Sequence, residues 1–271
     1  FAAGDIVESL HLVSRKKVKI PLAGSANKQG RVAGANAAGG NLCFRGVLGT
    51  AIIKAGELTC GRTGLSEKEA KALGLSYDVV WLPSNSNASY YPTAETIILK
   101  LVYETPTGRI LGAQAIGRQG VDKRIDVVST AIMGNLTVFD LENLDLAYAP
   151  PYGSAKDPVI LMGMVASNVL RGQERVITAE AAVAAAAEDA NTILLDVRTQ
   201  EEYDEGHLNG AVLIPVEELR SRLGELDQTK RYLVTCQVGA RAWLACCILQ
   251  QNGFSAENIT GGWLGCTMNL D

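Results

Sequence analysis

The 271-residue sequence has only two histidines, and none of its six cysteines forms a Cys-x-x-Cys pair. The cysteine and histidine spacings that bind zinc are therefore missing, and we predict no metal site. The shortage of histidines also disfavours a hydrolase that uses a histidine base, since His11 is expected in a solvent-exposed loop. In a chain of ordinary globular composition, the six cysteines indicate reduced thiols and a cytoplasmic location.

Long apolar runs and a basic surface are also lacking. No apolar run approaches the roughly 18 residues of a membrane-spanning helix, and no signal-peptide pattern occurs, so we expect no membrane association. The net charge is -4 and the isoelectric point is near 5.4. Because nucleic-acid-binding domains carry a basic stripe, we expect no nucleic-acid partner. The single basic cluster, residues 15–19, is expected in a solvated loop.

A cysteine stands where a predicted strand meets a predicted helix, in residues 232–242 (YLVTCQVGARA). Apolar residues end at Cys236, and Gly239 and Arg241 precede an apolar helical pattern. We call residues 236–241 the Cys236 loop. Backbone N–H groups of such a loop, the helix N-terminus and the arginine all favour an anion, which predicts a nucleophilic thiolate. A buried, inert cysteine at a strand end is the alternative.

A charged, glycine-containing joint at residues 171–175 divides the chain. Before it the pattern is α+β, and the most apolar helix there could pack against another subunit. Strands are predicted at residues 58–63, 77–82, 95–104 and 109–117, and helices at 121–133, 138–142 and 156–170. A further helix is predicted to open with Pro21 and Ala23 and to run to about Ala38, and another to follow Ser66, which caps it with Glu69 at the capping-box position.

After the joint, strands and helices alternate, which predicts a small α/β domain with a mostly parallel sheet. Predicted strands are residues 192–196, 211–214 and 232–235, and predicted helices are 181–187, 201–205 and 216–223. Sites in such sheets lie at the carboxyl ends of strands, where Cys236 falls, so the reactive thiol is favoured over the buried one.

The segment after the joint resembles the rhodanese family. The resemblance rests on three ordered motifs: residues 194–215 (LLDVRTQEEYDEGHLNGAVLIP), 236–241 (CQVGAR) and 261–263 (GGW). It implies a sulfurtransferase in which Cys236 takes a sulfane sulfur from a donor, holds it as a persulfide and passes it to a thiol acceptor. Arg241 follows Cys236 by five positions. That short loop suits a sulfur atom, whereas related phosphatases have a longer one.

The resemblance also implies roles for neighbouring residues. Asp196 and Arg198 would form a buried pair at the base of the loop, and His207 would belong to the scaffold. Backbone N–H groups would come from four loop residues, Gln237, Val238, Gly239 and Ala240. The remaining thiols of this segment, Cys246, Cys247 and Cys266, are interpreted as packing residues.

The segment before the joint resembles the end of a flavin-dependent pyridine nucleotide-disulfide oxidoreductase. The most similar members are coenzyme A-disulfide reductases and NAD(P)H-dependent persulfide or polysulfide reductases. The motifs are residues 1–5 (FAAGD), 21–31 (PLAGSANKQGR), 89–92 (SYYP) and 146–158 (LAYAPPYGSAKDP). The resemblance implies an FAD-domain remnant at 1–45, a dimerisation domain at 46–170, the linker at 171–175 and a rhodanese domain at 176–271.

By this resemblance, Asp5 would bind the ribityl chain of FAD, and Leu22 and Ala23 would contact the flavin ring. Tyr90 and Tyr148 would reach toward the redox cysteine of the partner in a homodimer; we choose them over Tyr91 and Tyr152. The alternative is that all four are ordinary interface aromatics.

The chain departs from that family because it has no Gly-x-Gly-x-x-Gly fingerprint and no matching redox cysteine. We expect the C-terminal portion of a reductase–rhodanese fusion, in which this portion alone would keep only sulfurtransferase activity. The fusion would use FAD, NAD(P)H and coenzyme A. The competing hypothesis is a catalytically silent rhodanese-like module that serves dimerisation or partner binding.

Overall fold

The computed structural model describes residues 1–267. The chain begins with a small antiparallel pair, β1 (Ser9–Leu10) and β2 (Lys17–Val18), and a helix, α1 (Ala23–Ala37). Gln29 of α1 donates to the Ser9 hydroxyl at 2.7 Å and so fixes the helix to this pair. The expectation that His11 faces solvent is wrong: it is buried, it bridges to Val47, and burial lowers its pKa.

A five-stranded antiparallel sheet follows, with the strand order β3-β4-β7-β6-β5. The apolar and β-branched side chains of residues 96–104 (TIILKLVYE) form the central part of this sheet's core. The strands are β3 (Ala51–Ala55), β4 (Leu58–Gly64), β5 (Tyr77–Asn85), β6 (Thr96–Glu104) and β7 (Ile110–Gly117).

Four helices accompany this sheet: α2 (Glu67–Ala72), α3 (Val121–Met133), α4 (Val138–Leu141) and α5 (Pro158–Leu170). Helix α3 packs on β4 and β7, and α5 packs on β5 and α4. Asp157 caps α5 by accepting from the Val159 N–H and also pairs with the buried Arg124 at 2.9 Å. This pair joins α5 to α3, and one face of the apolar helix, with Val159, Met162 and Ala166, is buried in its own chain.

The joint leads into a second, wholly parallel sheet with the order β10-β9-β11-β12-β8. Its strands are β8 (Val176–Ile177), β9 (Thr192–Asp196), β10 (Val212–Leu213), β11 (Arg231–Thr235) and β12 (Ser255–Ile259). The helices are α6 (Ala179–Glu188), α7 (Gln200–Glu205), α8 (Val216–Leu219), α9 (Ala240–Gln251) and α10 (Gly262–Thr267), with a 3₁₀ turn at Leu223–Glu225. The predicted fold class, α+β followed by a small parallel α/β domain, is confirmed.

Strands β8, β12 and β3 and helix α10 were not predicted from the sequence. Strand β12 contains the polar residues Glu257 and Asn258, so its sequence lacks the apolar pattern that indicates a buried strand. Each has a partner distant in sequence: Glu257 pairs with Arg231, and Asn258 contacts Glu174. The strand is therefore stabilised by pairings that no local pattern reveals.

Residues just after β12 contact β5 of the first sheet. The Thr260 hydroxyl accepts from the Trp81 N–H at 2.9 Å and lies 3.2 Å from the Trp81 carbonyl, to which it can donate. None of the helices in residues 1–267 combines the length and apolar character needed to cross a bilayer.

Candidate active site

The Cys236 loop closes tightly around its own thiol. Strand β11 ends at Thr235, and α9 begins at Ala240. Gly239 between them has a φ of +105°, a conformation that side chains disfavour. Its N–H points back at the loop's start and donates to the Cys236 Sγ at 3.1 Å. Cys236 is buried, so its sulfur lies within the protein, in contact with this backbone donor.

The first turn of α10 holds the Cys236 loop through backbone hydrogen bonds. The Trp263 N–H donates to the Cys236 carbonyl at 2.7 Å, and the Leu264 N–H donates to the Gln237 carbonyl at 3.1 Å. Gly262 has a φ of +56°, and a Cβ there would lie 2.4 Å from the Cys236 carbonyl oxygen. Only glycine permits this approach, which explains why the GGW motif accompanies the cysteine loop.

A buried ion pair joins β9 to the base of the loop. Arg198 donates to the Asp196 carboxylate, with a closest distance of 2.7 Å, and both side chains are almost fully buried. The same guanidinium donates to the Gly206 carbonyl at 2.6 Å and to the Gln237 side chain at 3.4 Å. It also lies 5.1 Å from the centre of the Trp263 ring. The structure thus brings Asp196 and Arg198 together beneath the loop.

Arg241 binds a carboxylate from another element. Its two terminal nitrogens donate to the two Glu202 oxygens at 2.7 and 2.6 Å. These hydrogen bonds lower the pKa of Glu202 to about 2, and they raise the pKa of Arg241, to which the charge of Cys236 adds. Sequence reasoning missed Glu202. Its signal is the capping box with Thr199, which fixes the carboxylate at the start of α7.

The other loop residues take varied positions. Gln237 and Val238 are half-buried, whereas Ala240 is exposed. Predicted scaffold residue His207 is exposed and stacks on Tyr203, with the ring centres 3.7 Å apart.

The remaining thiols of this domain lie in or near its core. Cys246 and Cys266 are buried, and Cys247 is half-buried. Burial raises the pKa of Cys266 to about 11. This placement agrees with packing thiols, because burial in apolar surroundings makes a thiol inert.

The predicted flavin contacts separate into two places. Leu22 and Ala23, at the N-terminal end of α1, line an open cavity of about 890 Å³. Leu22 is the N-cap and has no side-chain cap, so the helix presents its first N–H groups toward the cavity side. Asp5 lies in an exposed turn outside the lining of that cavity. Leu22 and Ala23 therefore fit one wall of a cofactor site, and Asp5 is not among the residues that line this cavity.

The predicted tyrosines come together from two loops. Tyr90 and Tyr148 are exposed, and the hydrogen bond with Tyr90 is the largest cause of the raised pKa of Tyr148. Asn87 donates to the Pro150 carbonyl at 3.3 Å, which ties the same two loops together. Tyr152 is also exposed. The preferred pair is thus adjacent on the surface.

Two family models match the chain. Residues 50–158 match the pyridine nucleotide-disulphide oxidoreductase dimerisation domain, and residues 179–268 match the rhodanese-like domain. The chain therefore contains these two domains in this order, as the motifs predicted.

The chain is also similar to longer proteins. A CoA-dependent NAD(P)H sulfur oxidoreductase of Pyrococcus furiosus is 42% identical over 165 residues, which are 61% of this chain and 37% of that protein. A coenzyme A disulfide reductase of Staphylococcus haemolyticus is 36% identical over 62% of this chain and 38% of its own length. The aligned part is thus under two fifths of each relative.

Two solved structures align with nearly the whole chain. The reduced Bacillus anthracis CoADR-RHD has a TM-score of 0.94 at 41% identity, covering 98% of this chain and 48% of that one. An NAD-dependent persulfide reductase from A. fulgidus has a TM-score of 0.89 at 43% identity, with the same coverage. The chain spans about half the length of these structures.

Proposed function

We propose that this chain, built from a disulphide oxidoreductase dimerisation domain and a rhodanese-like domain, works in a sulfur-handling redox enzyme in which Cys236 carries sulfur as a persulfide. The observation that carries the proposal is the short, closed Cys236 loop. Within it, a backbone N–H donates to the sulfur, and Arg241 adds positive charge nearby. Such a loop stabilises negative charge at its centre and suits a sulfur anion.

The proposed sulfur transfer has two steps. The Cys236 thiolate attacks the outer sulfur of thiosulfate, the new S–S bond forms, and sulfite leaves with the electron pair of the broken bond. A thiolate acceptor then attacks the outer sulfur of the Cys236 persulfide, takes it as a new persulfide and releases the Cys236 thiolate. The Gly239 N–H remains placed to stabilise the thiolate at the start and end of the cycle.

Further chemistry is proposed from the relatives. Proteins similar to this chain are named coenzyme A disulfide, persulfide and CoA-dependent sulfur reductases. We propose that the dimerisation domain forms a homodimer, that coenzyme A is a thiol acceptor, and that FAD contacts Leu22 and Ala23. A bound flavin would supply electrons drawn from NAD(P)H. The six unpaired thiols suit a reducing, cytoplasmic compartment.

Intact-protein mass spectrometry after incubation with thiosulfate tests the sulfurtransferase proposal. The chain should gain the mass of one sulfur atom, and Cys236→Ser should not. Cys247→Ser is the matched control, because Cys247 is the more accessible of the two adjacent thiols on α9. An adduct that persists on Cys236→Ser would overturn the assignment. No adduct on the unchanged chain would favour the silent module.

A further inference from the structure

Asn258 of β12 contacts the back of the Cys236 loop. Its Nδ2 donates to the Gly239 carbonyl at 3.2 Å. The N–H of the same glycine donates to the Cys236 Sγ at 3.1 Å. Gly239 has a φ of +105° and no side chain to hold it in place. The carbonyl and the N–H of Gly239 belong to neighbouring peptide units, and the carbonyl also accepts from the Trp243 N–H at 2.9 Å at the start of α9. Asn258 and α9 together therefore fix the residue whose N–H contacts the sulfur.

Glu174, from the joint between the two domains, holds Asn258. The Asn258 Nδ2 donates to the Glu174 Oε1 at 2.8 Å, and the Asn258 N–H donates to the Arg175 carbonyl at 2.8 Å. Both Asn258 and Glu174 are buried, and burial raises the pKa of Glu174. The joint is attached to the end of α5, because the Glu174 N–H donates to the Asn168 carbonyl.

Folding stability alone does not account for an asparagine at this position. Within residues 1–267 the Asn258 Oδ1 is buried and has no hydrogen-bond partner. Leaving a buried acceptor unpaired is unfavourable. Rotating the amide would bring that oxygen against two acceptors, the Gly239 carbonyl and the Glu174 carboxyl, so the orientation with Nδ2 between them is the favourable one.

We propose that Asn258 is a positioning residue for the Cys236 loop and that Glu174 orients it. The packing of the rhodanese-like domain on the preceding domain thereby sets the reactivity of Cys236. The thiol responds to the joint through three links in series: Glu174 to Asn258, Asn258 to Gly239, and Gly239 to the sulfur. The inference rests on the proposed function, because the reactivity of Cys236 matters only if the thiol carries sulfur. The experiment below measures that reactivity directly and does not require sulfur transfer.

The test measures the iodoacetamide alkylation rate of Cys236 in the full chain, followed by peptide mass spectrometry to separate it from the other five thiols. In Asn258→Ala the Gly239 carbonyl loses its side-chain donor and keeps the Trp243 N–H, and we expect the rate to change by about tenfold, the equivalent of one hydrogen bond. Glu174→Ala should change the rate in the same direction. Glu174→Gln keeps an acceptor for Nδ2 and should restore a rate close to that of the unchanged chain.

Glu257→Gln is the matched control. It lies next to Asn258 on β12 and loses the ion pair with Arg231, but it does not touch the loop. A merely structural role would make the rate follow the melting temperature across all four variants. The proposal is overturned if Asn258→Ala leaves the rate unchanged, or if Glu257→Gln alters it equally. Alkylation needs no sulfur donor. A chain that forms no persulfide would therefore contradict the proposed function but not the positioning role of Asn258.

Discussion

Arg241 at the end of the Cys236 loop and Glu202 at the start of α7 face each other through two parallel hydrogen bonds of 2.7 and 2.6 Å. The arginine is thus held by a carboxylate, and the charge of Cys236 adds to the rise of its pKa. The pair joins two elements of the rhodanese-like domain that the chain separates by nearly forty positions.

The Glu202 pair should make stability depend on acid pH. Its pKa is lowered to about 2 in the fold, from an ordinary value of 4.5. The carboxylate therefore contributes stability above about pH 4.5, and this contribution is lost as the pH falls through 2. Urea unfolding between pH 5 and pH 2 should show a shallower loss for Glu202→Gln than for the unchanged chain. Parallel curves would contradict the lowered pKa.

Asp196→Asn should weaken the domain severely. The substitution leaves the Arg198 guanidinium buried without its carboxylate, and breaking a buried ion pair costs about 3–5 kcal/mol. Urea denaturation should give this loss in the free energy of unfolding. Glu218→Gln is the control, because its pair with Arg222 is largely exposed and should change stability by less than about 1 kcal/mol. Similar losses of unfolding free energy in the two variants would contradict the stronger effect expected for the buried pair.

Gly262→Ala should distort the anchor of the Cys236 loop. The new Cβ would meet the Cys236 carbonyl oxygen at 2.4 Å, at a residue with a positive φ. Overpacking of this kind costs about 1–3 kcal/mol and should also slow persulfide formation. Thermal unfolding and the mass assay measure the two effects. Gly224→Ala, where a Cβ meets open space, should change neither.

Tyr90→Phe should lower the pKa of Tyr148. The hydrogen bond with Tyr90 raises that pKa above its ordinary value of 10. Removing the Tyr90 hydroxyl should return it toward this value, which an ultraviolet titration of tyrosinate can follow against Tyr148→Phe. Tyr152→Phe, on a neighbouring exposed tyrosine, is the control. An unchanged Tyr148 titration in Tyr90→Phe would show that the two hydroxyls do not interact.

The sequence by itself determined the two domains, their order and the place of the thiol. Helix α3 was predicted at its exact bounds, and the capping box of Ser66 with Glu69 is present. These features depend on contacts between residues close in the chain, such as apolar spacing, helix caps and glycine-rich turns. The motif with Cys236 is equally local, which is why it could be located without coordinates.

Only the tertiary structure decided which side chains meet. It gave Arg241 its partner Glu202, placed Asn258 between the joint and the loop, and buried His11. Each of these outcomes depends on pairing across strands or domains, where no periodicity in the sequence records the partner. Polar residues within buried strands are the clearest case, because their pattern alone suggests exposure while their hydrogen bonds require burial.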